Sequence, residues 1–365
     1  MTEALASVAS GLPRTPLATL PTPLLPAPRL SEAVGVEVWI KRDDLTGLLL
    51  GGNKVRKLEF LCGEALARGA DTLVTGGGAG SNHVQLTAAA CARLGLDCIV
   101  VCYGAVSPGD TPEPPGQPSD PLGLRVTRRL GADVVFTGSP DRTSVDARLE
   151  EVAAKLTADG RHPYVIPRGG ASAVGAVGYA VATRELAGQL AAAEIGQATV
   201  LLATGSCGTQ AGLVAGAALP LGIAQNATGC SSTPNAAPDR NRLRSEPAGP
   251  LRVVGVPVSR PPEECTDRIA RLATGCAQRL GSDRVFKADD VQLLGGYLGP
   301  GYGKASPEGD DAALLAARTE GLLLDPVFTA KAMAALVAEA RAGNLPGPVV
   351  FLHTGGAPAA LGALP

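Results

Sequence analysis

Aromatic residues make up only 3 % of the 365-residue chain, with a single tryptophan. So few rings exclude the stacking platforms on which single-stranded nucleic acids are bound. Charge of one sign is equally scarce. Thirty-two Lys and Arg stand against 34 Asp and Glu, a formal net charge of −2, which leaves no electrostatic footprint for DNA, RNA or an anionic membrane. Histidine occurs three times, at 83, 162 and 353, and the eight cysteines contain no Cys-x-x-Cys pair. A zinc site therefore has no ligand pattern, and none is expected for any metal. The cysteines at 62, 91, 98, 102, 207, 230, 265 and 276 mostly lie in apolar runs, as reduced buried thiols do. No apolar run is long enough to span a bilayer, and the first twenty residues carry no signal-peptide core. The expectation is a cytoplasmic protein with neither nucleic acid nor membrane as partner.

What is present is a globular balance, 45 % hydrophobic and 18 % charged residues, in a chain long enough for one large or two ordinary domains. Residues 11–30, rich in proline and leucine, read as an extended arm. Strands are expected at 36–41, 72–75, 97–103, 133–136, 164–166, 199–203, 251–256 and 348–353. Helices are expected at 55–68, 82–94, 122–130, 144–158, 173–193, 209–218, 262–280, 307–320 and 327–342. Strands alternating with helical segments of ten or more residues imply βαβ crossovers and parallel sheets. Two stretches break the alternation. Residues 104–123 hold too many prolines for a helix or central strand, and 225–250 reads as a surface insertion.

One stretch stands out. Gly51-Gly52-Asn53-Lys54-Val55-Arg56-Lys57-Leu58-Glu59 follows a strand and opens a helix. Cations in a first helical turn oppose the macrodipole, so three of them are poorly placed for stability alone. They form either a solvated basic turn or an amine and a cationic anchor facing a bound anion. A second candidate is Thr75-Gly76-Gly77-Gly78-Ala79-Gly80-Ser81-Asn82-His83, a strand, a glycine run and a polar helix start that make an anion-receptive nest. It does not match Gly-x-Gly-x-x-Gly, which counts against a dinucleotide-binding dehydrogenase. The third, Thr204-Gly205-Ser206-Cys207-Gly208-Thr209, again joins strand to helix and offers backbone N–H groups and hydroxyls to a phosphate. The fourth is Tyr302, set among glycines at 299, 301 and 303, where a ligand contact fits better than a core position; Tyr297 is a weaker alternative.

The lysine motif resembles that of the D-cysteine desulfhydrase and 1-aminocyclopropane-1-carboxylate (ACC) deaminase family, and the similarity runs from about Thr22 to Pro358. The resemblance implies a pyridoxal 5'-phosphate (PLP) enzyme of the tryptophan-synthase β-like fold. Its fold class is α/β, with two doubly wound, mostly parallel three-layer α/β/α domains. The larger comprises 1–57 and 171–365, the smaller 58–170. It implies a small amino-acid substrate and a homodimer. Lys54 becomes the Schiff-base lysine and general base, and Lys57 the phosphate contact. Ser81 sits near the substrate carboxylate and reacting carbon, Asn82 at the cofactor's ring hydroxyl, and Thr204 to Thr209 form the phosphate cup. Tyr302 lines the substrate pocket, while His83 is either a substrate contact or an ordinary helix-start histidine.

Relatives carry glycine where this chain has Cys207, which then either takes negative φ or sets a thiol beside the cofactor. Phe328 replaces a tyrosine. Thr329 and Thr354 stand where the deaminases have glutamate and leucine, so both side with the desulfhydrases, and Thr329 is expected at the cofactor's ring nitrogen. The activity implied is β-elimination from cysteine to pyruvate, sulfide and ammonia. Alternatives are a lyase for cysteate or a thioether, an ACC deaminase, or a PLP-binding protein with little turnover.

Overall fold

Unbroken aliphatic runs such as Val200-Leu201-Leu202-Ala203 form strands buried on both faces, the mark of parallel sheets covered by helices. The structure is a computed structural model and describes residues 9, 11–104, 121–219 and 251–362. The strands are β1 (Leu24–Pro26), β2 (Val38–Lys41), β3 (Thr72–Gly77), β4 (Asp97–Cys102), β5 (Asp133–Phe136), β6 (Pro163–Ile166), β7 (Ala198–Thr204), β8 (Leu251–Pro257), β9 (Gln292–Leu293) and β10 (Val349–Leu352). The helices that bear on the site are α1 (Pro28–Val34), α2 (Lys54–Ala67), α3 (Asn82–Leu94), α4 (Leu122–Arg129), α5 (Ser144–Ala158), α6 (Ala173–Ala192) and α7 (Gly208–Ala218). They are followed by α8 (Pro262–Arg279), α9 (Pro307–Glu320), α10 (Thr329–Arg341) and α11 (Ala357–Gly362).

Two sheets result. One has six strands in the order β1-β2-β10-β7-β8-β9, and the other four in the order β5-β4-β3-β6. Every pairing is parallel except that of β1 with β2 at one edge. Helices cover both, giving the doubly wound α/β architecture expected. Close packing behind the six-stranded sheet depends on missing side chains: a Cβ at Gly212 of α7 would lie 2.2 Å from the Ala176 carbonyl oxygen of α6. Any larger residue there forces the two helices apart.

The expected elements recur with ends moved by a few residues, and four additions correct the reading. The arm is not extended throughout. Leu24–Pro26 pairs with β2, and Pro28–Val34 is helical, started by a proline in its first turn and ended by Gly35 at φ 79°. Strand β9 and helix α11 were also unforeseen. The proline-rich segment at 104–123 lies largely, and the insertion at 225–250 wholly, outside the described residues.

The C-terminal ends of β3, β6, β7, β8 and β10 all open toward one cavity, the crevice where open α/β sheets bind ligands.

Candidate active site

The cavity measures about 420 Å³. Lys54 enters it as the first residue of α2. The loop before it is held by Thr46, whose hydroxyl accepts from Gly52 N–H at 2.8 Å and donates to Gly52 C=O at 3.0 Å. Gly52 has φ 128°, and a Cβ there would fall 2.5 Å from Asn82 Nδ2, so the two site loops meet over this residue. Asn53 donates its backbone N–H to Thr354 C=O at 2.9 Å. Its side chain does not cap α2. Instead Nδ2 donates to Thr209 Oγ1 at 2.9 Å, and Oδ1 receives Lys54 Nζ at 2.8 Å. Burial lowers the Lys54 pKa to about 8, against a smaller opposing pull from Asp325. At neutral pH a useful fraction of this amine is uncharged, as a nucleophile or general base requires.

The other cations of the motif do different work. Lys57 is fully buried and is not among the cavity-lining residues. Its Nζ donates to Gly169 C=O at 3.2 Å and lies 3.1 Å from a Cβ built on Gly208, so the ammonium sits behind the start of α7. Burial, and then the charge of Lys54, push its pKa well below the usual lysine range. Arg56 faces away from the cavity. Its guanidinium forks onto Asp43 at 2.8 and 2.9 Å and onto Glu185 at 2.8 and 3.0 Å, and donates to Thr22 Oγ1 at 2.9 Å. Burial alone would raise the Asp43 pKa, yet Arg56 beside it holds the carboxyl below its ordinary value. Glu59 likewise turns to the arm, accepting from Arg14 and from Leu17 N–H. Half of the motif therefore serves the scaffold rather than a ligand.

On the four-stranded side, Ser81 is the residue before α3, and its hydroxyl makes no capping bond to the helix. Ser81, Asn82 and His83 all line the cavity. On the six-stranded side, the loop after β7 brings Gly205, Ser206 and Cys207 to the start of α7. Thr204 Oγ1 donates to Gln210 Oε1 at 2.7 Å, so that hydroxyl stiffens the loop. Thr209 Oγ1 accepts from Asn53, which leaves its proton for a ligand in the cavity. Cys207 keeps the left-handed backbone of the glycine it replaces, at φ 75°. The expectation of negative φ is thus overturned, because the loop must still turn there to start α7. The conformation costs about 1–2 kcal/mol in a residue with a Cβ. The thiol is buried and hydrogen-bonded to Cys265, an arrangement that lowers its pKa.

Tyr302, 38 % exposed, stands edge-on to Phe328 with ring centroids 6.0 Å apart. The Arg142 guanidinium lies 5.5 Å over the tyrosine ring and donates to Ser259 C=O at 2.8 Å, bridging the cavity mouth from α5's side. The Phe328 ring packs on Gly205, where a Cβ would approach it to 2.8 Å. Thr354 lines the cavity but Thr329 does not. Thr329 is fully buried, and its hydroxyl accepts from Asp325 N–H and donates to Asp325 Oδ2, each at 2.7 Å. Tyr297 points to Glu339 at 2.8 Å, away from the site.

Sequence reasoning gave no role to the side chains of Asn53 and Asp325 and passed over Tyr103, Arg142, Arg168, Ser259 and Arg260, which all line the cavity. The Arg168-Gly169-Gly170 step after a strand was a legible signal. Arg142 and Arg260 sit in unpatterned turns and had none. Among the described residues no group of side chains is arranged to hold a metal ion.

These walls fit PLP. A helix N-terminus and the Thr209 hydroxyl face the space where a phosphate dianion would lie, with the Lys57 amine behind the first residue of that helix. A side chain on Gly205 would run into the Phe328 ring of the cavity wall, and one on Gly208 would press on Ala171 and Lys57 Nζ behind it. An amine of lowered pKa stands alongside.

Comparison with known proteins agrees. Residues 16–355 match the family model described as "Pyridoxal-phosphate dependent enzyme". The chain is 40 % identical over 352 residues to a D-cysteine desulfhydrase of Salmonella choleraesuis (strain SC-B67), covering 95 % of each. Its structure superposes on an ACC deaminase homologue with a TM-score of 0.80 and 34 % identity, over 98 % of this chain and 96 % of that one. A fungal L-serine ammonia-lyase from Rhizomucor miehei, 17 % identical with a TM-score of 0.58 over 92 % and 93 % of the two chains, shares the fold. With nearly its whole length matched, the chain belongs to the pyridoxal-phosphate dependent enzymes.

Proposed function

We propose that this enzyme is a carbon–sulfur lyase that takes D-cysteine and water to pyruvate, sulfide and ammonia. The observation that carries the reading is Lys54: a cavity amine with its pKa lowered to about 8, hydrogen-bonded through Asn53 to the phosphate-loop threonine. The 40 % identity to a D-cysteine desulfhydrase supports the substrate.

PLP, when bound, supplies the electron sink that makes a substrate Cα–H acidic. The chain's own groups do the rest. Thr209, the α7 N-terminus and Lys57 hold the phosphate. Asn53 orients the Lys54 amine, which removes the Cα proton. The N–H groups at the start of α3, with the Ser81 hydroxyl, receive the substrate carboxylate. Thr354 offers a neutral hydroxyl at the far wall. Thr329 is assigned to supporting Asp325 rather than to the ring nitrogen. Tyr302 and Arg142 close the mouth against water.

The reading also divides the chain at the cavity. Segment 58–170 carries the four-stranded sheet, and 1–57 with 171–365 carries the six-stranded one, in support of that division. Exposed leucines at 45, 49 and 50 support a homodimer. No described helix is long and apolar enough to cross a membrane, in line with a cytoplasmic enzyme.

A second reading is favoured by Arg142, Arg168 and Arg260 on the cavity wall. Three guanidinium groups suit a substrate whose β-substituent is anionic, as in cysteate. The test is a pyruvate assay over D- and L-cysteine, cysteate, thioethers and ACC. D-cysteine fastest supports the first reading, cysteate the second, and ACC or no turnover overturns both.

A further inference from the structure

His83 has a proton placement that its neighbours dictate. The Thr75 hydroxyl lies 2.8 Å from Ile166 C=O and 2.9 Å from His83 Nε2. A carbonyl only accepts, so the single hydroxyl proton goes to Ile166, and Thr75 Oγ1 must receive a proton from Nε2. The ring is neutral: burial first, then the charges of Lys54 and Lys57, push its pKa well below the ordinary histidine value. Nδ1 therefore carries a lone pair. No donor among the described residues reaches it, although the side chain is only 2 % exposed. Buried acceptors are rarely left so without a role.

The imidazole is a wall of the cavity. A Cβ at Gly170 would lie 3.6 Å from His83 Cε1 and 3.5 Å from Lys57 Cδ, which sets the ring against α2. Lys57 already donates to Gly169. Lys54 is held on one side only, by Asn53 Oδ1. We propose that His83 is a positioning residue for Lys54, its Nδ1 accepting a hydrogen bond from the Lys54 ammonium once that amine has taken up the Cα proton. The inference rests on the assignment of Lys54 above.

In the step concerned, the substrate C–H bond breaks and leaves its electron pair on carbon, and an N–H bond forms on Lys54. The ammonium then has three donors. Asn53 Oδ1 receives one and His83 Nδ1 another, and two fixed acceptors restrict where Nζ can move. A protonated imidazole would repel the ammonium, so the lock imposed by Thr75 is what makes the position useful. Asp325 and Lys57 are the other charged groups that act on Lys54; the Asp325 carboxylate accepts from Val327, Phe328 and Thr329, and Lys57 donates to Gly169.

The experiment uses the full chain, ¹⁵N-labelled at histidine and freed of cofactor; with three histidines, assignment needs only His83→Gln. As pH falls through about 8 and Lys54 protonates, the Nδ1 resonance is expected to move as an acceptor's does, with Nε2 still bearing its proton. Lys54→Met should abolish that movement. A proton on Nδ1, or a resonance indifferent to Lys54, overturns the proposal. In the loaded enzyme, His83→Leu is expected to lower kcat about tenfold, with KM nearly unchanged, the order that one hydrogen bond to a charged group carries. His83→Gln, which restores an acceptor, should recover part of the loss. Equal losses in both variants, tracking a fall in Tm, would make His83 structural. The magnetic-resonance measurement needs no PLP. It can therefore fail while reductive trapping still places the cofactor on Lys54.

Discussion

Asn53 Nδ2 donates to Thr209 Oγ1 at 2.9 Å, joining the start of α2 to the start of α7. Because the same amide presents Oδ1 to Lys54, the proposed phosphate loop and the proposed reactive amine share one planar group. Asn53→Ala should break both contacts. The expected outcome is roughly tenfold weaker PLP binding together with a lower kcat, from one to two lost hydrogen bonds. Fluorescence titration with PLP and steady-state kinetics would check this, and a loss confined to KM for substrate would contradict it.

On the proposed assignment Lys54 should govern the pH response. Its pKa is lowered to about 8 by burial, so the neutral amine is the minority below that pH and the majority above it. The rate at which PLP attaches to the cofactor-free protein should therefore rise as pH increases through about 8, then level off. Lys54→Ala should abolish attachment and cut turnover by about a thousandfold or more. Borohydride reduction and peptide mapping should find the pyridoxyl label on Lys54; label on Lys57 or Lys41 would refute the assignment.

Arg56 should matter for stability, not chemistry. Replacing it with Leu leaves Asp43 and Glu185 without their guanidinium partner, and removing one member of a buried ion pair costs about 3–5 kcal/mol. Asp43 is fully buried, so little water screens the loss. The expected result is a markedly lower denaturation midpoint, with near-normal kcat in the folded fraction. An unchanged midpoint would show that the network is dispensable.

Thr354 and Thr329 should part company when tested singly. Thr354→Leu alters a cavity wall and should weaken D-cysteine elimination about tenfold without unfolding the protein. Thr329→Glu places a second buried carboxylate against Asp325 and should lower thermal stability before it changes specificity. Equal melting temperatures for the two variants would refute the distinction.

Phe328→Tyr restores a hydroxyl beside Tyr302 and Gly205. If that hydroxyl bonds only in the transition state, kcat/KM on D-cysteine should rise roughly tenfold. An unchanged value would make Phe328 a packing residue.

Several features were legible from residue order alone, because they are local. A strand, two glycines and a lysine at a helix start are neighbours in the chain, so Lys54 and the two glycine loops that line the cavity with it were visible at once. The parallel sheets followed from the spacing of aliphatic runs and helices. Helix α1 was hidden because proline, which breaks helices elsewhere, begins one here.

Tertiary structure decided which way each side chain turned. Lys54, Arg56 and Lys57 lie within one helical turn, yet one enters the cavity, one closes an ion network and one lies behind the start of α7. Their directions depend on Asp43, Glu185, Gly169 and Thr209, and the last three lie more than a hundred residues away. Thr329 and Thr354 both sided with the desulfhydrases in sequence, but Asp325 engages the first hydroxyl and leaves only the second at the cavity. Sequence order carries the identity of a charged or polar group. Its hydrogen-bond partners come from chain segments that only folding brings within 3 Å, and those partners determine whether the group does chemistry or holds the scaffold.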